Sequence, residues 1–180
     1  QMKKYVKDGI RGIFPEGITT QLNEYMFNQL AFDADQDPEK ILDEFFTSYY
    51  GAAAEPMRKL WLEIEEVYTS PASWPLDPQD PSKDVSITEA TSWGRMGTPE
   101  RMARWGGYME EAKDLARTDL EKARVALFEE GEWKSMVAGA ESYRRRSAAE
   151  PQREALRDAP PPTVKVPRIA AVADGDPAKA

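Results

Sequence analysis

Twice in this chain, at Asp37-Pro38-Glu39 and at Thr98-Pro99-Glu100, a short oxygen-bearing residue precedes a proline and then an acid. The order suits a helix start. The side-chain oxygen accepts from orphan amides, proline has no amide to lose at the first helical position, and the acid matches the positive pole of the helix. Thr118 and Glu121 add the S/T-x-x-E spacing of a capping box. Behind each start, apolar residues recur at helical spacing. Ile41, Leu42, Phe45, Phe46 and Tyr49 make one stripe, closed by Gly51 as a left-handed cap. Met102, Trp105, Met109, Ala112 and Leu115 make a second, and Val125, Phe128, Met136, Val137, Ala140 and Tyr143 a third. Leu22, Tyr25, Met26 and Leu30 share a further face, as do Met57, Leu60, Trp61, Ile64 and Tyr68. Gly131 and Gly139 weaken the last helix by about 1 kcal/mol each relative to alanine, and Gly131 is expected to break it. The fold expected is therefore mainly α.

The exceptions lie at the ends and the middle. After a short helix end and a glycine turn, Ile10 to Phe14 reads as a brief strand that stops at Pro15, which places Glu16 on a loop just past its carboxyl end. Between about Ser70 and Thr98, Pro71, Pro75, Pro78 and Pro81 interrupt any regular ladder, and Trp74 and Trp93 are expected to fold back onto the helices. Pro160-Pro161-Pro162 reads as a semi-rigid linker, after which Val164, Val166 and Ile169 alternate like an opening strand and Asp174-Gly175-Asp176 like its turn. A lone strand cannot satisfy its own backbone, so both strands are expected to belong to sheets encoded elsewhere.

The composition excludes several chemistries. With 24 Lys plus Arg against 32 Asp plus Glu the net charge is -8, and nucleic acid is not an expected partner. The run Arg144-Arg145-Arg146 reads as a solvated helix end. Cysteine and histidine are absent, which removes disulfides, thiolate zinc sites, cysteine nucleophiles and imidazole triads from this segment. Asp33, Asp35 and Asp37 mimic a calcium loop, but Pro38 and Glu44 stand at its sixth and twelfth places, so helix capping is the better reading and no metal or cofactor is expected. No stretch approaches the roughly 20 apolar residues of a membrane span. Glu63, Glu65 and Glu66 read as a solvated helix face, and Trp61, Trp105 and Trp133 as core.

Lys7-Asp8-Gly9-Ile10-Arg11-Gly12-Ile13-Phe14-Pro15-Glu16-Gly17, Leu22-Asn23-Glu24-Tyr25, Asn28-Gln29-Leu30-Ala31-Phe32-Asp33, Asp43-Glu44-Phe45-Phe46 and Tyr49-Tyr50-Gly51-Ala52-Ala53 together resemble the end of the bacterial domain of unknown function 4838. The resemblance implies the C-terminal end of a (β/α)8 barrel akin to α-glucuronidases and hexosaminidase-type glycoside hydrolases, followed by a helical segment. It implies the last barrel strand and its helices over residues 1–70, a Pro-rich connection over 71–97, a helical hairpin over 98–147 and a linker over 148–163. Residues 164–180 are similar to the opening of a family 9 carbohydrate-binding module. Barrel active sites form at the carboxyl ends of strands, so the resemblance implies Glu16 and Phe14 as substrate-binding residues, with the catalytic acids on earlier strands outside this chain. The function implied is that of a C-terminal fragment of a polysaccharide-degrading glycoside hydrolase, extracellular or periplasmic, inactive alone, and meeting poly- or oligosaccharide through its parent. The alternative is a non-enzymatic helical interaction or carbohydrate-binding protein.

Overall fold

The computed structural model of the chain describes residues 2–13, 20–74 and 87–158, with residues 152–158 described by their backbone alone. The expected strand and turn within residues 164–180, Phe14, Glu16, and the prolines from Pro75 to Pro81 lie outside the described residues. The α-helices are α1 (Met2–Lys7), α2 (Gln21–Phe32), α3 (Pro38–Tyr50), α4 (Ala54–Thr69), α5 (Pro99–Leu115), α6 (Asp119–Phe128) and α7 (Lys134–Asp158). Tight 3-10 turns occupy Gly51–Ala53 and Pro71–Ser73, and wide π turns occupy Ala90–Met96 and Glu129–Trp133. The described residues are thus mainly α and contain no strand.

The helix starts are built as their residue types dictate. The Asp37 carboxylate accepts from the Glu39 amide at 3.0 Å, the Thr98 hydroxyl from the Arg101 amide at 3.4 Å, and the Thr118 hydroxyl from the Glu121 amide at 3.1 Å. Glu121 completes its box by accepting from the amides of Arg117 at 2.7 Å and Thr118 at 3.2 Å. Those donated bonds, the Arg117 amide first, hold its carboxyl below the ordinary carboxylate range. Asp33 accepts from the Asp35 amide at 2.9 Å, so two of the three aspartates serve local turns and caps.

The chain divides into two units, residues 1–145 and residues 146–180, the second holding the last residues of α7. In the first unit, helices from α2 onward share one core. It joins Phe45, Phe46 and Tyr50 of α3 to Met57 and Leu60 of α4, Trp105 and Met109 of α5, and Val125 and Phe128 of α6. Met57, Leu60 and Met109 are each 0 % exposed, a burial that stabilises by about 1.5–3 kcal/mol per side chain. Trp133, the last residue of the π turn, and Ala140 of α7 close the cluster, and Gly131 within that turn does mark the break between α6 and α7.

Two glycines make room for a neighbouring side chain at especially close range. Gly51 turns α3 into α4 with φ 55 and ψ -118, a backbone shape outside the left-handed helical region, and a Cβ there would come within 2.1 Å of Glu121 Oε1. Gly139 gives room to the Trp93 indole, whose Cζ2 would lie 2.5 Å from an added Cβ. Trp93 therefore does fold back onto the helices. So does Trp74, whose Nε1–H donates to the Tyr68 carbonyl at 2.8 Å while the two rings meet edge-on at 5.4 Å.

Several expectations are corrected, among them Tyr68, expected on the inner side of α4 but 52 % exposed. The strand expected over Ile10–Phe14 is not formed in its described part: α1 ends with paired bonds from the Gly9 amide to Val6 O and from the Ile10 amide to Tyr5 O, after which Ile10 to Ile13 are irregular. A ladder needs a neighbour, and among the described residues none is a strand. Leu115 is 37 % exposed because α5 ends there, and Ala116 takes the buried place. Arg144 is not at a helix end, since α7 continues to Asp158, and its Nε and Nη2 atoms are buried without a hydrogen-bond partner.

Replacing Gly51 by alanine should destabilise the first unit by at least about 2 kcal/mol, from the positive φ and the Glu121 contact together, whereas Thr118→Ala should cost about 1 kcal/mol. Urea midpoints of the two variants, compared at equal slope, check the order; equal midpoints would contradict it.

Candidate functional site

Helical spacing builds a groove on the first unit. On α2, Gln21, Glu24, Tyr25 and Asn28 stand at i, i+3, i+4 and i+7, and on α3, Phe45, Ser48 and Tyr49 stand at i, i+3 and i+4, so each set lies on one face. The two faces and Arg124 of α6 line an open cavity of about 350 Å³. A smaller cleft of about 110 Å³ shares Gln21, Tyr49 and Arg124 and continues to Trp61, Phe128 and, on the π turn, Gly131 and Glu132. The π turn matters here because its wide backbone brings two consecutive residues to the cleft, a geometry often found at working sites.

Arg124 is fixed rather than loose. Its Nη1 donates to the carbonyls of Ser48 at 3.0 Å and Tyr49 at 2.7 Å, at the negative end of α3, and its guanidinium carbon lies 4.3 Å from the centre of the Tyr49 ring. The other rings are ordered by mutual contact: Phe45 stacks on Tyr49 at 5.2 Å and meets Tyr25 at 5.6 Å. The Tyr25 hydroxyl is raised above its ordinary pKa by burial and by the neighbouring Glu44 carboxylate. Behind the groove Tyr50 accepts from Trp61 Nε1 at 3.3 Å, and burial pushes its hydroxyl up to about 12. The site thus offers planar amides, a carboxylate, hydroxyls and a guanidinium around apolar ring surface.

The sequence-derived candidates Phe14 and Glu16 lie outside the described residues. Thr20, which caps α2 by accepting from the Asn23 amide at 3.2 Å, is a lining residue of the smaller cleft. Sequence reasoning placed Tyr25, Phe45 and Tyr49 on buried stripes; it did not see that Gln21, Glu24 and Asn28 flank them on the open side.

A second constellation was read as surface and is not. Glu63 of α4 is 29 % exposed at its side chain and accepts from Arg104 Nε at 2.9 Å, Trp105 Nε1 at 2.9 Å and Tyr108 Oη at 3.2 Å, all on α5. Burial pushes its carboxyl upward, but the Arg104, Trp105 and Tyr108 donors outweigh it and the net shift is below the ordinary 4.5. Among the described residues no three acidic side chains, histidines or cysteines are grouped to hold a metal, and no helix is long and apolar enough to cross a membrane.

Residues 1–63 match the family DUF4838, described as a domain of unknown function. All the α2 and α3 residues of the groove fall inside the DUF4838 segment, while Arg124 and Glu132 fall outside it. No curated protein and no solved structure matches the chain.

Because the folded Glu63 pKa is depressed, its contribution to stability is fully present above about pH 4.5 and is lost as pH falls through the lower folded value. Glu63→Gln should cost about 1–3 kcal/mol at pH 7 and flatten the acid limb of a stability-versus-pH curve. A variant as acid-sensitive as the parent would contradict the assignment.

Proposed function

We propose that this chain is a non-catalytic, carbohydrate-contacting helical part of a polysaccharide-degrading protein of glycoside-hydrolase type, acting outside the cytoplasm. The observation that carries the reading is the groove on α2, α3 and α6. Sugars present hydroxyl pairs at their edges and apolar C–H faces, and a site for them needs planar hydrogen-bonding side chains beside aromatic surface. Gln21, Asn28, Glu24 and Arg124 supply the first; Tyr25, Phe45 and Tyr49 supply the second. The carboxylate among the described lining residues of the main groove is Glu24, whereas glycosidic cleavage commonly uses a pair flanking the bond. Binding, with the acids supplied elsewhere, is what this lining favours. The match of residues 1–63 to DUF4838 agrees with the sequence resemblance, which implies a sugar-processing barrel.

Calorimetric titration of the purified chain with gluco-, xylo- and manno-oligosaccharides should give saturable binding of at least one, without release of reducing sugar. Asn28→Ala and Gln21→Ala, both exposed side chains, should each weaken it about tenfold, the worth of one or two lost hydrogen bonds. Absence of binding across the panel, or binding indifferent to both substitutions, would leave a helical interaction protein as the better reading.

A further inference from the structure

On the first unit, between the end of α4 and the start of α5, a separate cavity of about 300 Å³ is lined by Arg95, Arg101 and Arg104 together with Glu63, Glu66 and the serines Ser70 and Ser73. Among the described lining residues three arginines stand against two glutamates, in a chain whose net charge is -8. Two of the three are anchored in ways that leave donors over. Arg101 spends Nη1 on the carbonyls of Arg95 at 2.6 Å and Met96 at 3.1 Å, on the last residues of the π turn. Arg104 spends Nε on Glu63 at 2.9 Å. The Glu63 carboxylate is occupied three times over, by Arg104, Trp105 and Tyr108, and has little capacity left to neutralise a further guanidinium. Ser73 is 6 % exposed and sits on the same wall.

We infer that this cavity is a binding site for an oxyanion, a carboxylate or phosphate group carried by a small molecule. The fork of a guanidinium matches the planar or tetrahedral oxygens of such groups, and arginines held by backbone carbonyls bind them with less ordering cost than free side chains. Arg101 is the positioning residue that fixes the orientation of the cluster, and Arg95, exposed at the rim, supplies the least constrained charge. The site is independent of the groove proposed for neutral sugar, because the two share no lining residue.

The test is calorimetric titration of the whole chain at low, constant ionic strength with sodium phosphate and sodium glucuronate, and with sodium chloride at the same ionic strength as the control. Saturable one-to-one binding of phosphate or glucuronate is expected, and which of the two binds tighter separates a phosphate source from a sugar-acid source. Arg95→Gln should weaken it several-fold and Arg101→Gln about tenfold, while Asn28→Ala in the groove should leave it unchanged. Should Arg101→Gln fail to fold, the exposed Arg95→Gln carries the decision alone. Absence of saturable phosphate and glucuronate binding, heats no larger than those with sodium chloride, or full affinity in folded Arg95→Gln would overturn the assignment.

Discussion

A carboxylate placed in the seam between two packed helices costs free energy unless its lone pairs are filled. Glu63 meets that condition with donors at the first, second and fifth positions of a single stretch of α5, Arg104, Trp105 and Tyr108. Three bonds from one helix to one side chain fix both the axial register and the rotation of α5 against α4, the pair with the most extensive contact in the fold. They also set the indole of Trp105, which is 2 % exposed and whose N–H would otherwise be buried without an acceptor. The core contacts of Met57, Leu60 and Met109 follow from that register, and so does the placing of Arg101 and Arg104 along the same wall.

A second set of constraints couples the outer helices to this pair. Gly51 lets α3 turn into α4 almost without a connection, and the space above it is taken by Glu121, the residue that closes the capping box of α6. Arg124, one turn further along α6, then reaches the last carbonyls of α3. The start of α6 is therefore held to the end of α3 by a cap and a cation together. The groove inherits its order from this junction: Tyr49 touches both the Phe45 ring and the Arg124 guanidinium, and α2 supplies the other wall.

Legibility in the sequence tracked the range of the interactions. Caps at Asp37, Thr98 and Thr118 involve neighbours two or three residues away, so their residue types alone disclose them. The apolar stripes likewise report their own helices. Glu63 was hidden because its partners lie 41 to 45 residues on and because Glu65 and Glu66 beside it are exposed. A signal did exist: three residues after Leu60 and four before Val67, it stands on the rim of the buried stripe, where a carboxylate needs donors from another element. Arg144 escaped notice for a similar reason, since its neighbours Arg145 and Arg146 are exposed, and α7 runs past them. The strand read at Ile10 to Phe14 rested on composition over five residues, and pairing is a property that no short segment holds by itself.

The DUF4838 segment ends at residue 63, within α4, yet the core that holds Phe46, Met57 and Leu60 also contains Trp105 and Met109 of α5 and Val125 and Phe128 of α6. A core divided in this way cannot be closed by the first 63 residues on their own, because Trp105, Met109 and Val125 fill its centre. The same division runs through the groove. Its planar amides and rings lie within residues 1–63, while among the described lining residues the guanidinium is that of Arg124, some sixty residues later. The shape of the groove therefore depends on how α6 is held to α3 as much as on the residues of α2.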